Sequence, residues 1–174
     1  MSGHSHWAGI KHKKGTTDQK RGQLFSKLTN AISTAAKQEP NPQFNPRLRS
    51  AIDKAKENKV PLENIERAIK RANEIKDLEK LIMEAYGPEG SAILIEVITD
   101  NKNRTVAEIK KILSHHNAKW AESGSVRWVF EKISESWQAK FPQTISDESK
   151  EKMSALIEEL DDQNDVQNIY TNAA

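Results

Sequence analysis

The chain has 174 residues, with 27 Lys+Arg and 25 Asp+Glu for a formal net charge of +2, 36% hydrophobic residues and no cysteine. The lack of thiols excludes disulfides, zinc-thiolate sites and cysteine nucleophiles. The longest apolar run, Ala92 to Ile98 interrupted by Glu96, is too short to span a bilayer. The near-neutral total hides a division. Residues 1–76 carry 16 Lys+Arg against 7 Asp+Glu, a net of +9, whereas residues 77–174 carry 11 against 18, a net of −7. A basic head suits a phosphate backbone and an acidic body is repelled by one, so nucleic acid is the first partner to consider. The charge break predicts two small domains, 1–76 and 77–174.

The chain opens Met1-Ser2-Gly3-His4-Ser5-His6-Trp7, with no apolar signal stretch and no Arg-rich amphipathic segment, which gives the expectation of a cytoplasmic protein. From Gly3 to Gly22 it offers Lys11, His12, Lys13, Lys14, Lys20 and Arg21 among glycines, and only Trp7 and Ile10 are large and apolar. Such a segment reads as a flexible basic arm that becomes ordered on a phosphate backbone. The bland alternative is a solvated tail without a partner. Trp7 argues against it, because an indole in a polar arm needs a surface or a nucleobase to lie on.

Three helices follow. Leu24, Phe25, Leu28, Ile32, Ala35 and Ala36 form one stripe of a helix starting near Thr17 or Asp18 and ended by Pro40 and Pro42. Asn45 reads as an N-cap with Pro46 at the first helical position, and Leu48, Ala51, Ile52 and Ala55 make the second stripe, closed at Asn58. A third helix starts at Pro61 with Leu62, Ile65, Ala68, Ile69 and Ala72 inward. Off these stripes lie Arg47, Arg49, Lys54 and Lys56 on the second helix and Arg67, Lys70 and Arg71 on the third. Each alone is an ordinary solubilising charge. Together with the arm they make a phosphate footprint without sequence discrimination.

In the acidic half a turn at Gly87-Pro88-Glu89-Gly90 separates Lys80 to Tyr86 from the β-prone Ala92 to Thr99, suggesting a hairpin, although Leu78, Leu81, Ile82 and Ala85 also fit a helix. The loop Asp100 to Asn103 leads to a helix from Arg104 or Thr105 with Val106, Ile109, Ile112 and Leu113 inward and His115-His116-Asn117 at its end. Asn101, Lys102, Asn103 and Arg104 form a candidate second binding loop. Val126, Trp128 and Phe130 alternate with Arg127, Val129 and Glu131 as a half-buried strand does, completing one βαβ unit. A second unit runs from extended Lys140 to Ile145, through a helix capped by Ser146 or Asp147 that contains Met153, Leu156, Ile157 and Leu160, to a strand at Val166 to Tyr170. The expected fold class is α+β: a three-helix bundle followed by a ferredoxin-like α/β sandwich with its helices on one face.

No phosphate-cradling glycine loop, nucleophile elbow or HExxH helix occurs, so no enzyme and no cofactor are expected. His4 and His6 lack a further ligand set, and His115 and His116 suit a helix C-terminus. Asp161, Asp162 and Asp165 read as a soluble turn, so no metal site is expected either.

Seven stretches carry a more specific signal. They are Gly3-His4-Ser5-His6-Trp7 with Ile10-Lys11; Asn45-Pro46-Arg47-Leu48-Arg49 with Ala51 to Ala55; Asn64 to Lys70; Tyr86 to Gly90; Thr99 to Thr105; Ser123 to Val126 with Trp128 and Phe130; and Asp165 to Asn172. Together and in order they resemble the YebC/PmpR family. The resemblance implies a non-enzymatic regulator of gene expression, described either as DNA-binding and transcriptional or as ribosome-associated and aiding translation through proline-rich stretches, with mitochondrial relatives similar to translational activators for cytochrome c oxidase. It also implies a departure: relatives carry a further small domain inserted after the Trp128/Phe130 segment, where this chain has only Lys132 to Phe141. The leading expectation is binding to ribosomal or other RNA through the head. A duplex-DNA regulator comes second and a protein adaptor using the acidic sheet third. No small-molecule substrate and no membrane are expected, and the protein is expected to be monomeric.

Overall fold

The computed structural model describes residues 18–75 and 77–174. They form two compact units: one takes the described residues from 18 to 80 with Ile98–Asn101, the other Leu81–Val97 with Lys102–Ala174.

The helical unit contains α1 (Asp18–Ala36), α2 (Pro46–Glu57) and α3 (Leu62–Lys70), followed by a 3-10 turn at Arg71–Asn73. Asn45 is the N-cap of α2: its side chain accepts from the Leu48 amide at 3.0 Å, and its Nδ2 donates to the Ala35 and Glu39 carbonyls. One buried asparagine thus ties the end of α1 to the start of α2. Leu28, Ile32, Leu48, Ile52, Ala55, Ile65 and Ala68 bury the inward stripes, and the Ser33 hydroxyl crosses between helices to the Ala68 carbonyl at 2.8 Å. Leu62 departs from the sequence expectation. It is 61% exposed, because as the first residue of α3 it precedes the turn at which the apolar stripe meets the other helices.

The α/β unit is built on a four-stranded sheet of order β3-β1-β2-β6, with β1 (Glu79–Tyr86), β2 (Ala92–Thr99), β3 (Lys119–Ala121) and β6 (Val166–Thr171). The helices are α4 (Lys102–His115) and α5 (Asp147–Asp162), and a separate hairpin comprises β4 (Phe130–Ile133) and β5 (Ser136–Ala139). The chain leaves β2 through α4 and returns at β3 on the far side of β1, a split βαβ arrangement. Strand β6 then pairs antiparallel to β2.

Central β2 is buried along its whole length, so its two sets of alternate residues meet different layers. Ile93, Ile95 and Val97 pack with Ile109 and Leu113 of α4 and with Met153, Leu156 and Leu160 of α5. Ala92 and Leu94 face the opposite side, with Val126, Val129, Phe130 and Trp137. Both helices thus lie on one face, as expected, and the β4–β5 hairpin covers the other.

Three expectations are corrected here. The strand expected at Val126 to Phe130 is a 3-10 turn at Arg127–Val129 leading into β4, so Val129 is buried and Trp128 is 61% exposed. The buried indole is Trp137 instead, 7% exposed. The strand that closes the first βαβ unit is the three-residue β3. Lys140 to Ile145 forms no strand and contributes a single parallel bridge, Gln143 to Ala173.

The turn at 127–129 has a visible cause. Glu84, 3% exposed on β1, accepts from the backbone amides of Gly124 at 2.6 Å, Val126 at 2.9 Å and Arg127 at 3.0 Å. Three donors converging on one carboxylate bend the chain and leave no geometry for an extended strand. Among the described residues no helix is long and apolar enough to cross a membrane.

Candidate nucleic-acid interface

The arm residues Lys11, His12, Lys13 and Lys14 lie outside the described residues. Lys20 and Arg21 sit in the first turn of α1, the former half-buried and the latter exposed. On α2, Arg47 and Lys54 are exposed and seven residues apart, which places them on one side of the helix. On α3 and the turn after it, Arg67, Lys70 and Arg71 are exposed at i, i+3 and i+4 spacing and again share a side.

Arg49 and Arg67 have partners within the helical unit. The Arg49 guanidinium donates to the carbonyls of Pro42 at 2.7 Å and Gln43 at 3.0 Å, clamping the α1–α2 connection. Arg67 pairs with Glu63 one turn earlier at 2.8 Å. Both partners are well exposed, so the pair is weak and does not remove the cation from the surface field.

The clamped connection presents a residue that sequence reading passed over. Phe44 is 73% exposed, although its amide bonds back to Asn41 and Arg49 fixes the segment before it. A phenyl ring so exposed on a fixed loop, three residues before Arg47, is not used by the helical core. Its signal was the apolar residue among Asn and Pro, which no helical stripe could use.

The candidate second loop is the first turn of α4, since the helix begins at Lys102. Asn101, Lys102, Asn103 and Arg104 are exposed, yet Arg104 donates to Asp165 at 3.0 Å, and the Thr105 hydroxyl donates to the same carboxylate oxygen at 2.7 Å. Arg104 therefore ties α4 to the start of β6, leaving Asn101, Lys102 and Asn103 as the outward members. The N-terminal amides of α4 favour anions, and no acidic residue stands in its first turn.

Among the described residues, one set of groups could hold a divalent metal. His115 Nδ1 and His116 Nε2 lie 3.0 and 2.5 Å from Glu159 Oε2, with all three ligand atoms within 4.8 Å of one another. Hydrogen bonding from His116, then from His115, with the charges of both rings, holds the Glu159 carboxyl below its ordinary range. The sequence offered the histidine pair but not its partner, 43 residues downstream of His116 on α5.

Residues 5–75 match the family model described as the TACO1/YebC protein N-terminal domain, and residues 78–136 and 131–173 match that of the TACO1/YebC second and third domain. The chain belongs to the TACO1/YebC family. Among its relatives, a protein of Pelodictyon phaeoclathratiforme named probable transcriptional regulatory protein is 52% identical over 136 residues, 76% of this chain and 54% of that one. A relative of the same name from Dictyoglomus turgidum is 53% identical over 135 residues, 75% of this chain and 54% of that one. The crystal structure of a conserved hypothetical protein from Aquifex aeolicus is similar at a TM-score of 0.86 and 31% identity, covering 97% of this chain and 96% of that chain. The chain spans about half the length of the curated TACO1/YebC relatives it matches.

Proposed function

We propose that this TACO1/YebC member is a non-enzymatic, cytoplasmic regulator of gene expression that binds ribosomal or other RNA through its helical unit and arm, and aids translation through proline-rich stretches. The observation that carries the reading is the set of exposed cations on one side of α2 and on one side of α3, with an outward Phe44 three residues before Arg47. Such a surface takes phosphates without reading base sequence. The outward residues at the start of α4 supply a further anion contact. The protein works as a monomer, without a small-molecule substrate, and the region 132–141 replaces an inserted domain of its longer relatives. In support of that last point, the two matched stretches of the second-and-third-domain model meet at 131–136.

The names of the relatives speak of transcriptional regulation, which favours a second reading, that this chain acts on transcription by binding DNA. It requires a helix presenting Arg, Asn or Gln to base edges in a groove. Sedimentation of the tagged protein from gently lysed cells, after DNase or RNase treatment and at two salt concentrations, separates the two. Co-migration with ribosomes that survives DNase and is lost with RNase or high salt supports the translation reading. Absence from ribosomes with DNase-sensitive association elsewhere replaces it with the transcriptional one.

A further inference from the structure

The α/β unit carries an aromatic pair that the fold does not consume. Trp128 and Phe141 are 61% and 56% exposed, and their ring centroids are 5.7 Å apart at an interplanar angle of 50°. Two large rings in contact, each more than half in water, form an exposed apolar patch of the kind that marks a binding surface.

Nor do these rings sit on loose chain. The Trp128 indole N–H donates to the Ser125 carbonyl at 2.9 Å, and Ser125 belongs to the segment that Glu84 bends. On the other side the Lys140 amide donates to the Val129 carbonyl at 2.8 Å, and Asn172 Nδ2 donates to the Phe141 carbonyl at 3.0 Å. The Trp128 ring and the backbone that carries Phe141 are therefore held in place before any partner arrives, which lowers the entropic cost of binding.

Charge points to the class of partner. The Lys140 ammonium lies 5.7 Å from the centre of the Phe141 ring, and Arg127, next to Trp128, lies 5.0 Å from the centre of the Trp137 ring. Residues 77–174 carry a net charge of −7, so a lysine over one ring of the exposed pair and an arginine adjoining the other in the chain run against the charge of that half. Fixed aromatic faces flanked by Lys and Arg match unpaired nucleobases and their phosphates, since every base has a face to stack and none needs a hydrogen-bond code.

We infer that Trp128 and Phe141, with Lys140 and Arg127, form a stacking platform for unpaired bases of single-stranded nucleic acid, a second contact on the α/β unit. The inference rests on the nucleic-acid reading above and assigns that reading a strand class. Duplexes, with their bases already stacked, gain nothing from the platform.

The test is fluorescence anisotropy of the full chain with a labelled mixed-sequence oligonucleotide, single-stranded and duplex, as RNA and as DNA. Replacing both rings, Trp128→Leu with Phe141→Leu, should weaken single-stranded binding by about 5- to 140-fold per base unstacked and leave duplex binding unchanged. Trp128→Phe, which keeps a ring, should restore most of the affinity, with thermal melting establishing that each variant is folded. Lys70→Glu with Arg71→Glu on the helical unit should instead weaken both strand classes and flatten the salt dependence. A folded double-leucine variant that binds single strands like the parent overturns the platform while leaving the helical-unit reading intact. Loss in the double-leucine variant without loss in the charge-reversed one keeps the platform and removes the helical-unit reading. A change in self-association in sedimentation velocity, with oligonucleotide binding unchanged, overturns the platform in favour of a second copy of the chain.

Discussion

The Trp137 indole N–H donates to Glu96 at 3.1 Å, and Asn168 Nδ2 donates to the other carboxylate oxygen at 2.9 Å. That pairing accounts for the charge that interrupts the apolar run of β2. Glu96 is 1% exposed and alternates onto the hairpin face of the sheet, where its oxygens are taken up by β5 and β6. The same carboxylate has an electrostatic effect nearby: burial first, and then the Glu96 charge, push the Tyr170 hydroxyl up to about 12.

Because Trp137 fills the space between hairpin and sheet, Trp137→Ala should destabilise the protein by roughly 3–5 kcal/mol in urea denaturation. Trp128→Ala should cost less than about 1 kcal/mol, as its ring is largely in water. Equal losses at the two positions would mean that the hairpin packs differently.

Glu84→Ala should cost at least about 3 kcal/mol, since the backbone donors of Gly124, Val126 and Arg127 lose their acceptor together. Amide hydrogen exchange at Val126, slow in the parent, should accelerate in the variant. Unchanged protection there would remove Glu84 as the cause of the 3-10 turn.

The Glu159 carboxyl titrates below its ordinary value of 4.5 in the folded state, principally through the hydrogen bond from His116. A lowered folded value means that the contribution is present in full above the unfolded titration range and is lost as pH falls through the folded one. Carboxyl carbon NMR should therefore place the Glu159 midpoint below 4.5, and His116→Ala should raise it. An unaltered midpoint in the variant would show that the histidine does not hold the carboxylate.

On the helical unit, Lys70→Glu with Arg71→Glu should reduce the slope of log affinity against log salt by about 0.7 to 0.9 for each lost phosphate contact. Both side chains are exposed, so the melting temperature should stay close to that of the parent. A steep, unshifted slope would place the phosphate contacts elsewhere.

What could be read from the chain divides by the distance over which each feature is decided. The bounds of α2 follow from Asn45, Pro46 and Asn58, and those of β2 from its own β-branched run, so local chemistry was sufficient. The first strand held less information, since Leu81 and Ile82 fit helix or strand until β2 and β3 pair with it. Three residues of β3 carry no period at all. Trp128, expected on a half-buried strand, is outward because Glu84, 40 residues upstream of Gly124, bends the chain into the turn that carries it. The interface follows the same pattern: exposed lysines and arginines can be inferred from helix phase, whereas the clamp of Arg49, the bond of Arg104 to Asp165 and the placement of Glu159 beside two histidines depend on partners distant in sequence or outside any helix.

The β4–β5 hairpin turns at Ser134, whose φ of 55° lets the chain reverse in two residues between the paired Ile133 and Ser136. Its strands are held to each other by their own register and to the sheet by Phe130, at the end away from the tip, and by Trp137 of β5. The tip is thus a place where the gene can lengthen the protein without redesigning it. Each doubling of a flexible connection there costs only about 0.6 kcal/mol, so the same sheet tolerates chains of very different size.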